Sequence, residues 1–189
     1  FKEVADGRYA CSEDDRLDAM RNYARFLHYY IADLQSLRSD KDTQDQYGRN
    51  QYLAYQSLLE MKQYLGKSSE IVVLNDKYLP GINQELVAIM LERSRCNEMP
   101  FSEVRSESAR LLPEVTPNAV EHRQTIRLMG LESSVYARSY KLLREDTQRF
   151  LSEEKRQDLL PYWMVRYWDA WSLYHQEERK AECEQFEQI

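Results

Sequence analysis

Apolar side chains recur at steps of three and four residues along most of the chain, the spacing that places them on one face of an α-helix. The first such pattern runs through Leu17, Met20, Ala24, Leu27, Ile31, Leu34 and Leu37. A second runs from Tyr52 to Leu65 and ends at Gly66, a residue type that commonly follows the last turn of a helix. Both patterns predict long amphipathic helices.

The segment from Ile71 to Val73 is ambiguous, because three β-branched residues favour a strand but form too short a run to show a period. We expect a short helix or loop there. Pro80 and Gly81 are residue types that usually interrupt helices, so the next helix is expected to begin after them.

The second half of the chain predicts two more long helices. Thr116 followed by Pro117 is a typical helix start, with Thr116 as the N-cap, and the apolar pattern then continues to Phe150 with Gly130 as a weak point. A final helix is expected from about residues 158–161.

Composition supports a helical protein. The chain has 189 residues, 42% of them hydrophobic, and only 5 Gly and 5 Pro, which is too few for the many turns of a sandwich or barrel. We therefore predict an all-α, single-domain bundle of about five to seven helices. It would be flanked by an N-terminal extension over residues 1–11 and an acidic C-terminal tail over residues 177–189.

The charge pattern narrows the classes of partner. The net charge is -6, and the densest basic stretch, from Arg138 to Arg149, also contains Glu145 and Asp146. This is not the clustered positive charge that binds nucleic acid. No apolar run reaches the roughly 18 residues of a membrane span. The chain begins at Phe1, which is compatible with a cleaved leader or a trimmed longer chain, so exported and cytoplasmic locations both stay open.

The three cysteines, Cys11, Cys96 and Cys183, lie far apart and form no C-x-x-C motif. A zinc site is therefore not expected. In an oxidising compartment the spacing allows one disulfide, which we expect to include Cys11, whereas a cytosolic chain would keep three thiols.

The stretch "DDRLD" contains Asp14, Asp15 and Asp18 and resembles the D-D-x-x-D motif of class I prenyl and terpene synthases. That resemblance implies magnesium bound over a diphosphate inside a helical cavity. On a helical wheel, however, the three carboxylates point away from the apolar face that contains Leu17. Ser12 can also cap this helix, with Asp15 in the acidic position of a capping box. We expect a helix start and no metal site.

The stretch "LESSVYARS" resembles the Glu-Ser motif of lytic transglycosylases, in which Glu132 would be the catalytic acid. The Gly-Leu-Met-Gln segment that the family carries downstream is absent. His28, His122 and His175 are scattered and fit no ligand or nucleophile pattern. We therefore predict no catalytic residue and no cofactor.

The stretch from Pro161 to Gln176 is unusually aromatic and contains all three tryptophans of the chain. On a helical wheel Trp163, Met164, Tyr167, Trp168, Trp171 and Tyr174 span an arc of about 140°. One interpretation is the core face of the last helix. The other is a docking surface, because Trp and Tyr supply many interface hot spots. If core and interface share the helix, we expect Trp163, Tyr167 and Tyr174 to pack inward and Trp168 to face outward.

Two classes of function follow. The first is a non-catalytic adaptor or accessory protein that binds another protein through Trp163, Tyr167, Trp168, Trp171 and Tyr174, with a basic partner favoured by the acidic tail. The 14 tyrosines, more than a core of this size needs, favour this class. The alternative is a small-ligand-binding or metal-dependent helical enzyme with a pocket between helices.

Overall fold

The computed structural model describes residues 3, 7–8, 11–30, 41–66, 72–153 and 160–186. Within these ranges the chain forms no strand and seven α-helices, which are Glu13–Arg25 (α1), Lys41–Leu65 (α2), Val72–Arg95 (α3), Phe101–Leu111 (α4), Val120–Tyr136 (α5), Tyr140–Glu153 (α6) and Leu160–Phe186 (α7). A π-helical turn, Phe26–Tyr30, continues α1, and a 3₁₀ turn, Leu112–Glu114, follows α4. The predicted all-α bundle of five to seven helices is confirmed.

The ends of several predicted segments lie outside the described residues. This applies to Ile31, Leu34 and Leu37 of the first pattern and to most of the predicted N-terminal extension. The predicted acidic tail overlaps the last turns of α7, which continues as a helix to Phe186.

The bundle is built around two groups of buried side chains. The first core draws on α1 to α5 and includes Leu17, Leu58, Met61, Tyr78, Ile82, Leu86, Val104, Leu111 and Ile126. The second core joins the end of α5 to α6 and α7 and consists of Leu131, Leu143, Phe150 and Val165, with Trp168 and Trp171 packed against it. Removal of this apolar surface from water is the main stabilising contribution to the bundle.

Helix α5 connects the two cores within less than two turns. Ile126 lies in the first core and Leu131 in the second. Between them, Gly130 is buried against α4, and a Cβ at this position would collide with the hydroxyl of Ser108. The absence of a side chain therefore allows α4 and α5 to approach closely.

A buried carboxylate on α3 links this helix to α1 through ion pairs. The side chain of Glu85 is only 5% exposed and accepts hydrogen bonds from Arg21 (3.1 and 3.2 Å) and an ion-pair contact from Arg25 (2.8 Å). A buried charge is tolerated only when it is paired in this way. The Arg21 guanidinium lies over Gly81, in the space that a Cβ at this position would occupy.

The expected helix boundary at Pro80 and Gly81 is wrong, because α3 runs without interruption from Val72 to Arg95. Proline removes one helical hydrogen bond and usually breaks a helix. Here Pro80 is itself buried, and Tyr78 and Ile82 on either side of it pack into the first core. This packing keeps the chain helical on both sides of Pro80, so tertiary contacts override the local preference.

The predicted start of α5 at Thr116 and Pro117 is three residues too early. The helix begins at Val120, and its N-cap, Ala119, has no capping side chain. Thr116 instead closes a turn, since its carbonyl accepts from the amide of Ala119 (3.1 Å).

The pattern that predicted one helix from Thr116 to Phe150 hides a break at residues 137–139. The amide of Arg138 donates to the carbonyl of Val135 and that of Ser139 to the carbonyl of Ser134, each at 3.0 Å. This is the Schellman arrangement that ends helices. Arg138 adopts the left-handed conformation with φ +52°, a position that Gly usually occupies. Because residues 137–139 include no Gly or Pro, the sequence did not indicate that a helix ends there.

We expect Arg138→Gly to raise the free energy of unfolding by about 1 kcal/mol, because glycine adopts positive φ without steric cost. Urea denaturation measures the change. Ala137→Gly is the matched control, since Ala137 has φ -71° and should become less stable on substitution. A less stable Arg138→Gly protein would contradict the assignment of strain to this residue.

A second buried polar contact joins the π-helical turn to α2. His28 is 8% exposed, and its Nδ1 lies 2.6 Å from Oε1 of Gln51, an atom that only accepts, so Nδ1 is the donor. The side-chain amide of Gln51 donates in return to the carbonyl of His28 (3.4 Å). Burial lowers the pKa of His28, and this effect outweighs the opposing influence of Gln51, Glu92 and Glu85.

The lowered pKa predicts a specific loss of stability in acid. His28 is neutral in both states above the ordinary histidine pKa of about 6.5, and below it the unfolded chain takes up the proton more readily than the folded one. Stability should therefore fall as the pH drops from about 7.5 to about 5.5. Urea denaturation should show a shallower fall for His28→Gln than for the native protein, and identical slopes would contradict this account.

Candidate functional site

The outward side of α7 exposes four large apolar side chains. Trp163 is 58% exposed, Met164 38%, Tyr167 65% and Tyr174 61%. We call these four residues the aromatic stripe. Because Trp163, Tyr167 and Tyr174 are separated by four and seven residues, they lie along one line on the helix surface.

This arrangement corrects the expected division of the aromatic residues. Trp163, Tyr167 and Tyr174 were expected to pack inward and Trp168 to face outward, but the structure places them the other way round. Trp168 and Trp171 are half-buried against the second core. Of the five predicted binding residues, three are therefore exposed to solvent and two pack against the second core.

The inward side of α7 combines apolar residues with polar residues that have partners in the protein, and the helical wheel could not take those partners into account. Val165 and Ser172 are fully buried there, and Asp169 accepts from the hydroxyl of Thr147 in α6 (2.9 Å). Further along, the side-chain amide of Gln176 donates to the carbonyl of Tyr140 (3.0 Å). These polar residues face the protein because each has a partner in it.

A cluster of rings anchors the middle of α7 on the first turn of α6. His175 stacks on Tyr140, with the ring centroids 4.6 Å apart, and Trp171 meets both rings edge-on at 4.7 and 5.2 Å. Tyr174 touches the rim of this cluster, 5.3 Å from His175. The exposed stripe is therefore held on a rigid support.

The aspartate cluster at the start of α1 is a structural element. The hydroxyl of Ser12 accepts from the amide of Asp15 (3.1 Å), so the predicted N-cap is confirmed. Asp14 accepts from Lys77 (2.7 and 2.8 Å) and from the hydroxyl of Tyr78 (2.8 Å). These hydrogen bonds, the one from Lys77 first, lower the pKa of Asp14. The carboxylate ties α1 to α3.

Glu132 is partly buried and forms an ion pair. Its carboxylate accepts from Arg95 (2.6 Å), and the same guanidinium contacts the hydroxyl of Tyr136 (3.2 Å). A catalytic acid of the lytic transglycosylase type must be free to reach the bound sugar, whereas this carboxylate is held by an arginine. Glu132 thus links α3 to α5.

The parts of the chain that the structure describes contain no group of three or more His, Cys, Asp or Glu side chains that could hold a metal ion. Cys11 and Cys96 are free thiols, so neither forms a disulfide, and the side chain of Cys183 lies outside the described set. None of the described helices is long and apolar enough to cross a membrane.

A cleft of about 630 Å³ opens between α2 and the C-terminal end of α3. Its α2 side is formed by Asp45, Gly48, Arg49, Tyr52 and Leu53, and its other side by Arg93 and Glu98. The α2 residues follow the three-four spacing of one helix face, a signal that was present in the sequence. Arg93 and Glu98 come from a distant part of the chain, so only the fold could reveal the cleft.

We expect titration calorimetry with magnesium to give no saturable heat, because Lys77 and Tyr78 already bind the Asp14 carboxylate. With inorganic diphosphate present, the heat should equal that of the same titration without protein, which comes from magnesium binding to diphosphate. Asp14→Ala should instead lower the melting temperature by removing that link. Tight magnesium binding that disappears in Asp14→Ala would contradict the structural role.

Two surfaces thus remain as candidates for function, the aromatic stripe on α7 and the cleft beside α2. The first is apolar and exposed, and the second combines charges with one ring. Known proteins give no further guidance, since the chain matches no family model and no curated protein or solved structure is significantly similar to it.

Proposed function

We propose that the protein is a non-catalytic interaction protein that binds an amphipathic helix of a partner protein along the aromatic stripe. The observation that carries the proposal is the exposure of Trp163, Tyr167 and Tyr174, each more than half accessible, on one side of a single helix. Clustered apolar side chains on a protein surface commonly mark sites of interaction.

The chemistry of the stripe suits protein recognition. Trp and Tyr bury a large area at a small cost in side-chain entropy, and they dominate the residues that carry binding energy in interfaces. Trp163 to Tyr174 span about 16 Å of helix, which matches three turns of a partner helix laid alongside. The guanidinium of Arg166, 5.8 Å from the Trp163 ring, adds a polar edge.

The charge of α7 favours a basic partner. After Gln176 the helix contains four glutamates, at positions 177, 178, 182 and 184, against Arg179 and Lys180. Lys or Arg residues beside the apolar seam of the partner would be attracted to this end of the helix. The attraction should weaken as salt is added.

We expect Trp163→Ala and Tyr167→Ala to weaken partner binding by at least about 1 kcal/mol each, or about fivefold in dissociation constant. Both side chains are mostly exposed, so the melting temperature should change little. A photo-crosslinking residue at position 174 identifies the partner in native lysate, and the affinity of that purified partner is then measured for each variant.

Leu142→Ala is the matched control, because Leu142 is an exposed apolar residue on the adjacent helix α6. It should leave the affinity unchanged. A pair of synthetic helices with the same leucine seam, one flanked by Lys and the other by Glu, tests the charge preference through the change in tryptophan fluorescence on binding. Equal binding of both peptides, or full affinity of Trp163→Ala for the purified partner, would refute the proposal.

A further inference from the structure

We infer that the cleft between α2 and α3 binds a small zwitterion, an α-amino acid with an aromatic or large apolar side chain. This site lies on the helices of the first core and is separate from the aromatic stripe. Its volume of about 630 Å³ is within the range of small-molecule sites. The residues that line the cleft divide into a charged group and an apolar group.

Asp45 and Arg49 supply opposite charges one helical turn apart. Both residues are exposed, and neither makes an ion pair within the described structure, although their spacing is suited to one. Their charges are thus available to a ligand. An α-amino acid offers an ammonium to Asp45 and a carboxylate to Arg49, at the two ends of a single small group.

Tyr52 and Leu53 provide an apolar surface at the next turn of α2. They are 50% and 47% exposed, and both line the cleft. The guanidinium of Arg93 lies 5.9 Å from the Tyr52 ring and restricts its position. The side chain of the bound amino acid would cover Tyr52 and Leu53 while its charged end faces Asp45 and Arg49.

The wall opposite α2 carries no net charge, because Arg93 and Glu98 pair with each other. The charged groups of the ligand would therefore pair with Asp45 and Arg49. Arg93 Nε donates to Glu98 at 2.9 Å, so these two residues satisfy each other. Gly48 brings this wall close to α2, because the carboxylate of Glu98 lies where a Cβ of residue 48 would be. The pair formed by Arg93 and Glu98 therefore defines the wall opposite α2.

The test uses L-phenylalanine and three analogues that each lack one recognised group. These are 3-phenylpropionate without the ammonium, phenethylamine without the carboxylate, and glycine without the ring. Titration of the isotope-labelled protein, followed by amide NMR shifts, should give a dissociation constant on the order of 1 mM for L-phenylalanine, as befits a small ligand in an open cleft. Each analogue should bind about fivefold more weakly or not at all.

Variants locate the site. Arg49→Gln, Asp45→Asn and Tyr52→Ala should each weaken L-phenylalanine binding by about fivefold, while melting temperatures confirm that the surface substitutions leave the fold intact. Arg144→Gln on α6 is the matched control and should bind as the native protein does. The inference is overturned if L-phenylalanine produces no saturable shifts, if 3-phenylpropionate binds equally well, or if Arg49→Gln retains full affinity.

Discussion

The fold depends on α5 being shared between two hydrophobic cores. Ile126 lies in the first core and Leu131 in the second. Because both residues belong to one helix, α5 sets the position of α6 and α7 relative to α1–α4. Gly130 makes this arrangement sterically feasible by admitting the side chain of Ser108 from α4. The close approach of two helix backbones at a glycine gives dense packing that larger residues would prevent.

The exposure of the aromatic stripe follows from the second core. Val165 packs against Leu143 and Phe150, and this contact sets the rotation of α7 about its axis. The hydrogen bonds of Asp169 and Gln176 to α6 hold the same rotation, because turning the helix would break them. Among the helices that the structure describes, none then covers Trp163 and Tyr167.

In the first core, charged contacts orient helices that apolar packing alone would leave free to slide. Glu85 binds two arginines of α1, and Asp14 of α1 binds Lys77 of α3, so the same pair of helices is connected at two levels. The Asp14 carboxylate belongs to a stretch that resembles a magnesium-binding motif when the sequence is considered alone. The cleft beside α2 arises where the turn after α3 brings Glu98 close to Gly48.

The sequence by itself determined the helical class of the fold, the capped start of α1 at Ser12 and the aromatic residues that carry the candidate surface, because periodicity and local hydrogen bonding are encoded over a few neighbouring positions. Only the tertiary structure decided which aromatic residues face solvent, because Asp169 and Gln176 of α7 turn toward their hydrogen-bond partners on α6. It also decided that α3 continues through Pro80 and that the long pattern ends at Arg138. Each of these outcomes depends on packing energy between distant segments, which outweighs local residue preferences of about 1 to 3 kcal/mol.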